Sequence, residues 1–241
     1  MWQALFRRSP APLHPPVRGR CSEGRHVLRT ERLLLYTPLI AQDVIACAAV
    51  GSDSEAQRWL GDRADNVVHD AYSREVFLSM RADDDLSRFE TRDRLRLMRK
   101  IDKPSNGIAQ LTAVHLADGR YAGTTTVSLA SGEIGGALAP GYRRQGLGVE
   151  LFRGALQFGH RHLGLAVMRA GAEPTNRASR QALTTAGFTP AAGPPRFTLG
   201  DGRTIDACWY QHQQKATSHC RGEYSSSTWR RGLGKRRADG A

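Results

Sequence analysis

Between Leu138 and Leu156 the chain reads LAPGYRRQGLGVELFRGAL, and its chemistry sits in Arg143-Arg144-Gln145-Gly146-Leu147-Gly148. Glycines at 146 and 148, directly before an amphipathic run, let main-chain N–H groups at a helix start converge on an anion. Guanidinium groups alongside add charge-assisted hydrogen bonds to the same ligand. Several phosphate loops compete for such a pattern. A Walker-type loop needs Lys and then Ser or Thr after its last glycine, to reach terminal phosphates and hold magnesium. Here Gly148 is followed by Val149-Glu150. A dinucleotide fingerprint needs a third glycine three residues further on, where this chain has Leu151. What remains is a diphosphate-bearing ligand held without a metal by the loop's main chain and its arginines.

Other reactive residue types offer less. His160 and His162 are two apart, so on a helix they point to different faces and a shared metal is not expected. Cys21, Cys47, Cys208 and Cys220 are far apart and form no Cys-x-x-Cys pair, which suits reduced thiols in a cytoplasmic protein.

The formal charge of +12 invites a nucleic-acid partner, so its location matters. Residues 1–30 carry six Arg and one acid, a net of +5. Residues 211–241 carry seven Lys or Arg and two acids, again +5, which leaves +2 for residues 31–210. The basicity belongs to the ends. Basic tails can hold phosphate backbones non-specifically and salt-dependently, so a contact with RNA or the ribosome through them is one reading. A solvated appendage, or an extension from a misjudged start, is the other. No apolar run approaches the ~20 residues that span a bilayer, and "MWQALFRRSPAPLHPP" has neither the apolar stretch nor the small-residue cleavage site of a secretory signal. No membrane partner is expected.

The elements that must position the loop can be read from periodicity. Residues 1–27 and 214–241 lack it and read as disordered basic extensions around one domain, 28–213. "RTERLLLYTPL" contains a short strand, Leu33 to Tyr36. Val44, Ile45, Ala48 and Ala49 share a helical face that Gly51 ends. Residues 60–105, polar and charge-clustered, read as helix and loop. "GIAQLTAVHL" and "YAGTTTVSLA" are strands joined through Asp118-Gly119, a strong hairpin signal. "GEIGGALA" is a third strand, followed by the glycine loop and a helix with Leu151, Phe152, Ala155 and Leu156 on one face. "GLAVMRAGA" is a buried strand. "TNRASRQALTTAGF" is a helix capped by Asn176 and ended by Gly187. A hairpin around Gly200-Asp201-Gly202 closes the series. The fold class is α/β, a mixed sheet with helices in one domain.

Arg143-x-x-Gly146-x-Gly148 resembles the acetyl-CoA pyrophosphate motif of the GNAT N-acetyltransferase superfamily. "EIGGALAPGYRRQGLG" is similar to the fourth strand and following loop of its ribosomal-protein N-terminal acetyltransferase branch. "EPTNRASRQALTTAGF", with Asn176, Ser179, Gly187 and Phe188, and the opening "TERLLLYTPL" are similar to that branch too. The resemblance covers about residues 28–213.

It implies a mostly antiparallel sheet that splays open beside acetyl-CoA, with helices on its flanks. Carried over, Gly136, Ala137 and Leu138 bond the pantetheine arm through their main chain. The amides of Gln145, Gly146, Leu147, Gly148 and Val149 receive the pyrophosphate beside Arg143 and Arg144, and Asn176 binds the pantetheine portion. Glu133 is the implied base for the amine and Ser179 the implied acid, because Leu183 stands where many relatives carry a Tyr. The acceptor pocket falls to residues 50–105 and the terminal hairpin, with Trp59 and Trp209 as lining or packing residues. Asp83, Asp84 and Asp85 are either an attractor for a cationic amine or a solvated acidic run. The expected activity is acetyl transfer to a primary amine, a protein N-terminus or a small molecule, in a ternary complex. A catalytically silent acetyl-CoA sensor or scaffold, and an RNA- or ribosome-associated protein working through its tails, are the alternatives. The sequence leaves the acceptor open, and the oligomeric state as well, a homodimer among the options.

Overall fold

The computed structural model describes residues 18–22, 25–38, 40–62, 67–84 and 107–214. Its main sheet has six antiparallel strands in chain order: β1 (Arg18–Ser22), β2 (Arg25–Arg29), β3 (Leu33–Tyr36), β4 (Ile108–His115), β5 (Tyr121–Ser128) and β6 (Ile134–Leu138). A second sheet holds β7 (Val167–Ala172), β8 (Thr189–Ala191) and β11 (Cys208–Gln213) in the order β7-β11-β8. Between β10 (Thr204–Asp206) and β9 (Arg196–Thr198) lies the expected hairpin, whose turn contains Gly202 at φ 92°.

Period-two alternation decides what each face of the main sheet buries. Leu33 and Leu35 of β3, with Leu111 and Ala113 of β4, turn one way. They meet Leu147, Leu151 and Ala155 of α4 (Leu147–Gln157) in the principal core, which also takes in Leu183 and Ala186 of α5 (Arg177–Ala186). The opposite face is closed by α1 (Ala41–Val50), where Ala46 packs with Val114 and Tyr121. Ile45 and Ala49 pack on Phe77 of α3 (Ala71–Ser79), and α2 (Ser54–Leu60) follows α1 directly. The Asp118-Gly119 turn forms as read, with Gly119 at φ 71°. The strand at "GLAVMRAGA" is half-buried rather than buried throughout. Met168, Ala170 and Ala172 point inward, while Val167 is 39% exposed.

The expected domain start at residue 28 is corrected. Arg18–Ser22 and Arg25–Arg29 pair as a hairpin that extends the sheet ten residues earlier. That segment carries arginines instead of alternating apolar residues, so its period-two signal is weak. Its pairing is a main-chain matter that side-chain patterning does not report. The remainder of the expected basic ends, residues 1–17, 23, 24 and 215–241, lies outside the described residues, as do 63–66, Asp85 and the rest of 85–106. Cys21 offers no described side chain and Cys220 lies outside; Cys47 and Cys208 are free thiols. Among the described residues no helix is long and apolar enough to cross a membrane, and no cluster of three metal-ligating side chains occurs.

Candidate active site

The two sheets separate after a single point of contact, a parallel bridge between Glu133 and Arg169, with Arg169 N–H donating to Gly132 O at 2.9 Å. Beyond it, among the described residues, β6 is paired on one edge only. Strand alternation then says which groups face the gap. Glu133 O accepts from Ser128 (2.8 Å) and Ala139 N–H donates to Ala122 O (2.9 Å), so odd-numbered residues turn their main chain toward β5. Gly136 and Leu138 therefore present theirs to the open side. Ala137 does not: its N–H and C=O point back into the sheet, which corrects its expected role in pantetheine bonding. Leu138 is also partly spent, because its carbonyl accepts from Arg143 Nε at 2.9 Å. Gly136 is left as the central open position. A Cβ there would lie 2.8 Å from Thr124 O, so a side chain would push β6 off β5.

A cavity of about 840 Å³ opens along this edge, between β6, β7, the N-termini of α4 and α5, and α2 with the β9–β10 hairpin. At its floor Gly146 caps α4 in the left-handed region, φ 78°, and Arg144 also has a positive φ of 61°. Left-handed backbone costs a non-glycine residue ~1–2 kcal/mol, and such strain collects at ligand clamps. Leu147 and Gly148 open the helix, where N–H groups have no intrahelical acceptor. Val149 is different, since its N–H already donates to Gly146 O at 3.1 Å. The Val149 bond closes the first turn behind Gly146.

Arg143, expected on the phosphates, is only 18% exposed; it is bidentate on Asp53, with Nη1–Oδ1 at 2.9 Å, and reaches Glu55 at 3.1 Å. With Nε on Leu138 O, its guanidinium is bonded to protein partners while the residue still lines the cavity. Asp53 is the N-cap of α2, accepting from Glu55 and Ala56. Burial pushes the Asp53 carboxyl up, but Arg143 and those amides outweigh it and hold it below the ordinary range. The cations that face the loop are Arg144, exposed on the cavity rim, and Arg32. Arg32 Nη1 donates to Gln145 O at 2.8 Å and its Nε to Glu150 at 2.6 Å, while Thr30 holds the other oxygen of Glu150. Burial raises the Glu150 carboxyl, and the bonds from Thr30 and Arg32 more than reverse that.

Asn176 accepts from Ser179 N–H through Oδ1 at 3.1 Å, capping α5. Asn176 and Ser179 both line the cavity. Leu183 is core, 1% exposed, so the chain has rebuilt a Tyr position as packing. Glu133 stands half-buried where the sheets part; burial pushes its carboxyl up and Arg169 pulls part of that back. Trp59 and Trp209 both line the cavity. Asp83 and Asp84 do not: Arg81 Nε binds Asp83 at 2.9 Å and Arg81 N–H binds Asp84 at 2.7 Å.

Sequence reasoning missed Arg32, Glu150 and Asp53. For Asp53 a signal existed, an Asp-Ser-Glu after the Gly51 stop, which is a helix N-terminus signature. For Arg32 and Glu150, 118 residues apart, none did. His160 and His162 part as expected: one meets His212 Nδ1 at 2.9 Å, the other His26 Nδ1 at 3.0 Å.

An open sheet edge, a left-handed glycine at a helix start and a capping side-chain amide line one cleft. A model of the acetyltransferase (GNAT) domain matches residues 32–189, and the chain belongs to that family. Among solved structures it is similar to a ribosomal-protein-S5-alanine acetyltransferase from Vibrio fischeri, at 14% identity and a TM-score of 0.55, covering 78% of this chain and 96% of that one. A spermidine N-acetyltransferase from Vibrio cholerae, solved with CoA and spermine, gives 14% identity and a TM-score of 0.56 over 77% and 97%. An acetyltransferase of the GNAT family from Bacillus anthracis gives 16% and 0.53 over 78% and 98%. No curated protein matches the sequence.

Proposed function

We propose that this acyltransferase moves the acetyl group of acetyl-CoA to a primary amine, by direct attack while both are bound. The observation that carries the reading is the outer edge of β6 at Gly136, unpaired among the described residues, in one cleft with the Gly146–Gly148 helix start. The residues fit the coenzyme: the N–H and C=O of Gly136 and the Nδ2 of Asn176 suit an amide-bearing arm, and that helix start with Arg32 and Arg144 suits its diphosphate. Bound there, acetyl-CoA supplies an activated thioester.

The chain's own groups do the proton work. A primary amine arrives charged, with a pKa near 8 at a chain terminus or ~10.4 on a lysine. Glu133, its affinity for protons raised by burial, takes that proton and frees the lone pair. The Gly136 N–H is placed to donate to oxygen as negative charge builds on it. Ser179 Oγ holds a proton for the departing sulfur. A protein N-terminus and a small amine both satisfy this chemistry. The solved neighbours named for ribosomal-protein and spermidine acetylation share the fold at identities that carry no substrate. The cytoplasm is the proposed setting, to be checked by fractionation.

The test uses the full chain: calorimetry with coenzyme A, and thiol release from acetyl-CoA against a panel of amines. Binding with amine-dependent release is expected. Binding without release on any amine would instead make the protein a coenzyme sensor, and no binding would sink both readings.

A further inference from the structure

The acceptor half of the cavity has its own construction. Trp59 and Leu60 of α2 face Phe197, Leu199 and Ile205 of the hairpin, with Trp209 of β11 behind them. The two sides are tied together. Arg203 Nη2 donates to Gln57 O (2.7 Å) and Nη1 to Arg58 O (3.2 Å), and Asp201 N–H donates to Gly61 O (2.7 Å). Gly61 brings its backbone so close that a Cβ would sit 2.7 Å from Leu199. This wall is thus preformed. Its aromatic faces are also stripped of polar function: Trp209 spends its indole N–H on Pro194 O (2.7 Å), and Phe197 stands edge-on to it, centroids 6.1 Å apart.

Charge on the cavity is just as restricted. Among the described lining residues the carboxylates are Glu55, Glu133, Glu150 and Glu173. Arg143 takes Glu55, and Arg32 takes Glu150. Glu173 accepts the Thr175 hydroxyl at 2.7 Å on the Asn176 side. On the acceptor side the described carboxylates are Glu133, joined to Trp209 through Arg169, whose guanidinium lies 5.2 Å from the indole, and the exposed Glu55, which Arg143 holds at 3.1 Å. On the other flank Arg58 covers Trp59 at 4.5 Å. Among the described lining residues a second ammonium would therefore meet apolar rings, guanidiniums and a carboxylate already paired with Arg143.

From this pairing of Glu133 with a fixed aromatic wall, we infer that the acceptor is a monoamine carrying an aromatic or bulky apolar group near its nitrogen. Polyamines and aminoglycosides, whose further ammoniums would meet only a cation-paired carboxylate among the described lining residues, are the disfavoured class. The inference rests on the amine acetylation proposed above. Two sources present this chemistry, a free arylalkylamine and a peptide whose first residue is aromatic.

Thiol release from acetyl-CoA is measured with 2-phenylethylamine, ethylamine, spermidine and a tetrapeptide beginning with Phe. Phenylethylamine or the peptide should exceed ethylamine and spermidine in kcat/KM by about tenfold or more, since even one buried methylene discriminates to that degree. Whichever of the two wins identifies the source. Phe197→Ala, at a side chain 38% exposed and so outside the core, should remove that advantage and leave coenzyme A affinity unchanged. Ile205→Asp, which adds a carboxylate to the wall, should raise spermidine relative to phenylethylamine. Ethylamine or spermidine matching the aromatic amine in the unaltered protein overturns the acceptor class but keeps the acetyltransferase. Coenzyme binding with no release from any amine overturns the acetyltransferase reading and this class together.

Discussion

Arg143 Nη1 lies 2.9 Å from Asp53 Oδ1, 90 positions away in sequence, and its other guanidinium nitrogen binds the same carboxylate. The pair ties the cap of α2, at the acceptor wall, to the turn that leads into the coenzyme loop. A motif position that looks like a phosphate ligand is in this chain braced against the cap of α2.

Arg143→Ala leaves Asp53 half-buried without its cation and should cost on the order of 2 kcal/mol, seen as a lower Tm. Acceptor KM should rise more than coenzyme A affinity falls, which a phosphate ligand would reverse. Asp53 is held below its unfolded pKa of ~3.9. The brace therefore contributes fully above that value and is lost as pH falls through the depressed folded value. Acid melting of Asp53→Asn should show a smaller loss across that window than the unaltered protein.

Glu133 behaves in the opposite sense, because burial raises it. Its folded form prefers the proton, so stability from this group is present at low pH and lost as pH rises through the raised value. The acid limb of log kcat should lie above the ordinary glutamate range near ~4.3. Glu133→Gln should abolish that limb and lower kcat by about 10²–10⁴, with Tm unchanged or higher at neutral pH. A limb that persists in the variant assigns the base elsewhere.

Two substitutions separate the tasks of Asn176. Ala removes the cap of α5 at about 1 kcal/mol and also the Nδ2 donors. Asp keeps a capping oxygen for Ser179 N–H and loses only the donors. Asn176→Asp should melt with the unaltered protein while coenzyme A binds about tenfold more weakly. Equal melting and equal affinity would remove Asn176 from the coenzyme site.

The glycines should differ in kind. Gly146→Ala meets nothing nearer than Arg32 Nη2 at 3.5 Å, so its cost is the left-handed backbone alone, about 1 kcal/mol. Gly136→Ala drives a Cβ against Thr124 O and should cost about 1–3 kcal/mol, together with much of the coenzyme affinity. Comparable losses from both, by calorimetry and thermal melting, would contradict the packing at β6.

Local rules made much of this protein legible. Asp118-Gly119 is a strong turn signal, Asn176 and Gly187 bracket a helix by cap chemistry, and the Arg-x-x-Gly-x-Gly run leads into a helix start. Each depends on residues a few positions apart, whose conformational preferences act before any long-range contact forms. The strands before residue 28 stayed hidden because their pairing is a main-chain affair with little apolar alternation to betray it.

Tertiary structure alone decided which atoms of those motifs reach the cleft. Strand register turned Gly136 outward and Ala137 inward, a one-residue difference that no residue type encodes. Packing of α2 against the loop paired Arg143 with Asp53 and brought Arg32 onto the Gln145 carbonyl. The reason is geometric. A guanidinium binds the nearest well-placed carboxylate, and which carboxylate that is depends on how distant segments are brought together, not on the sequence around the arginine.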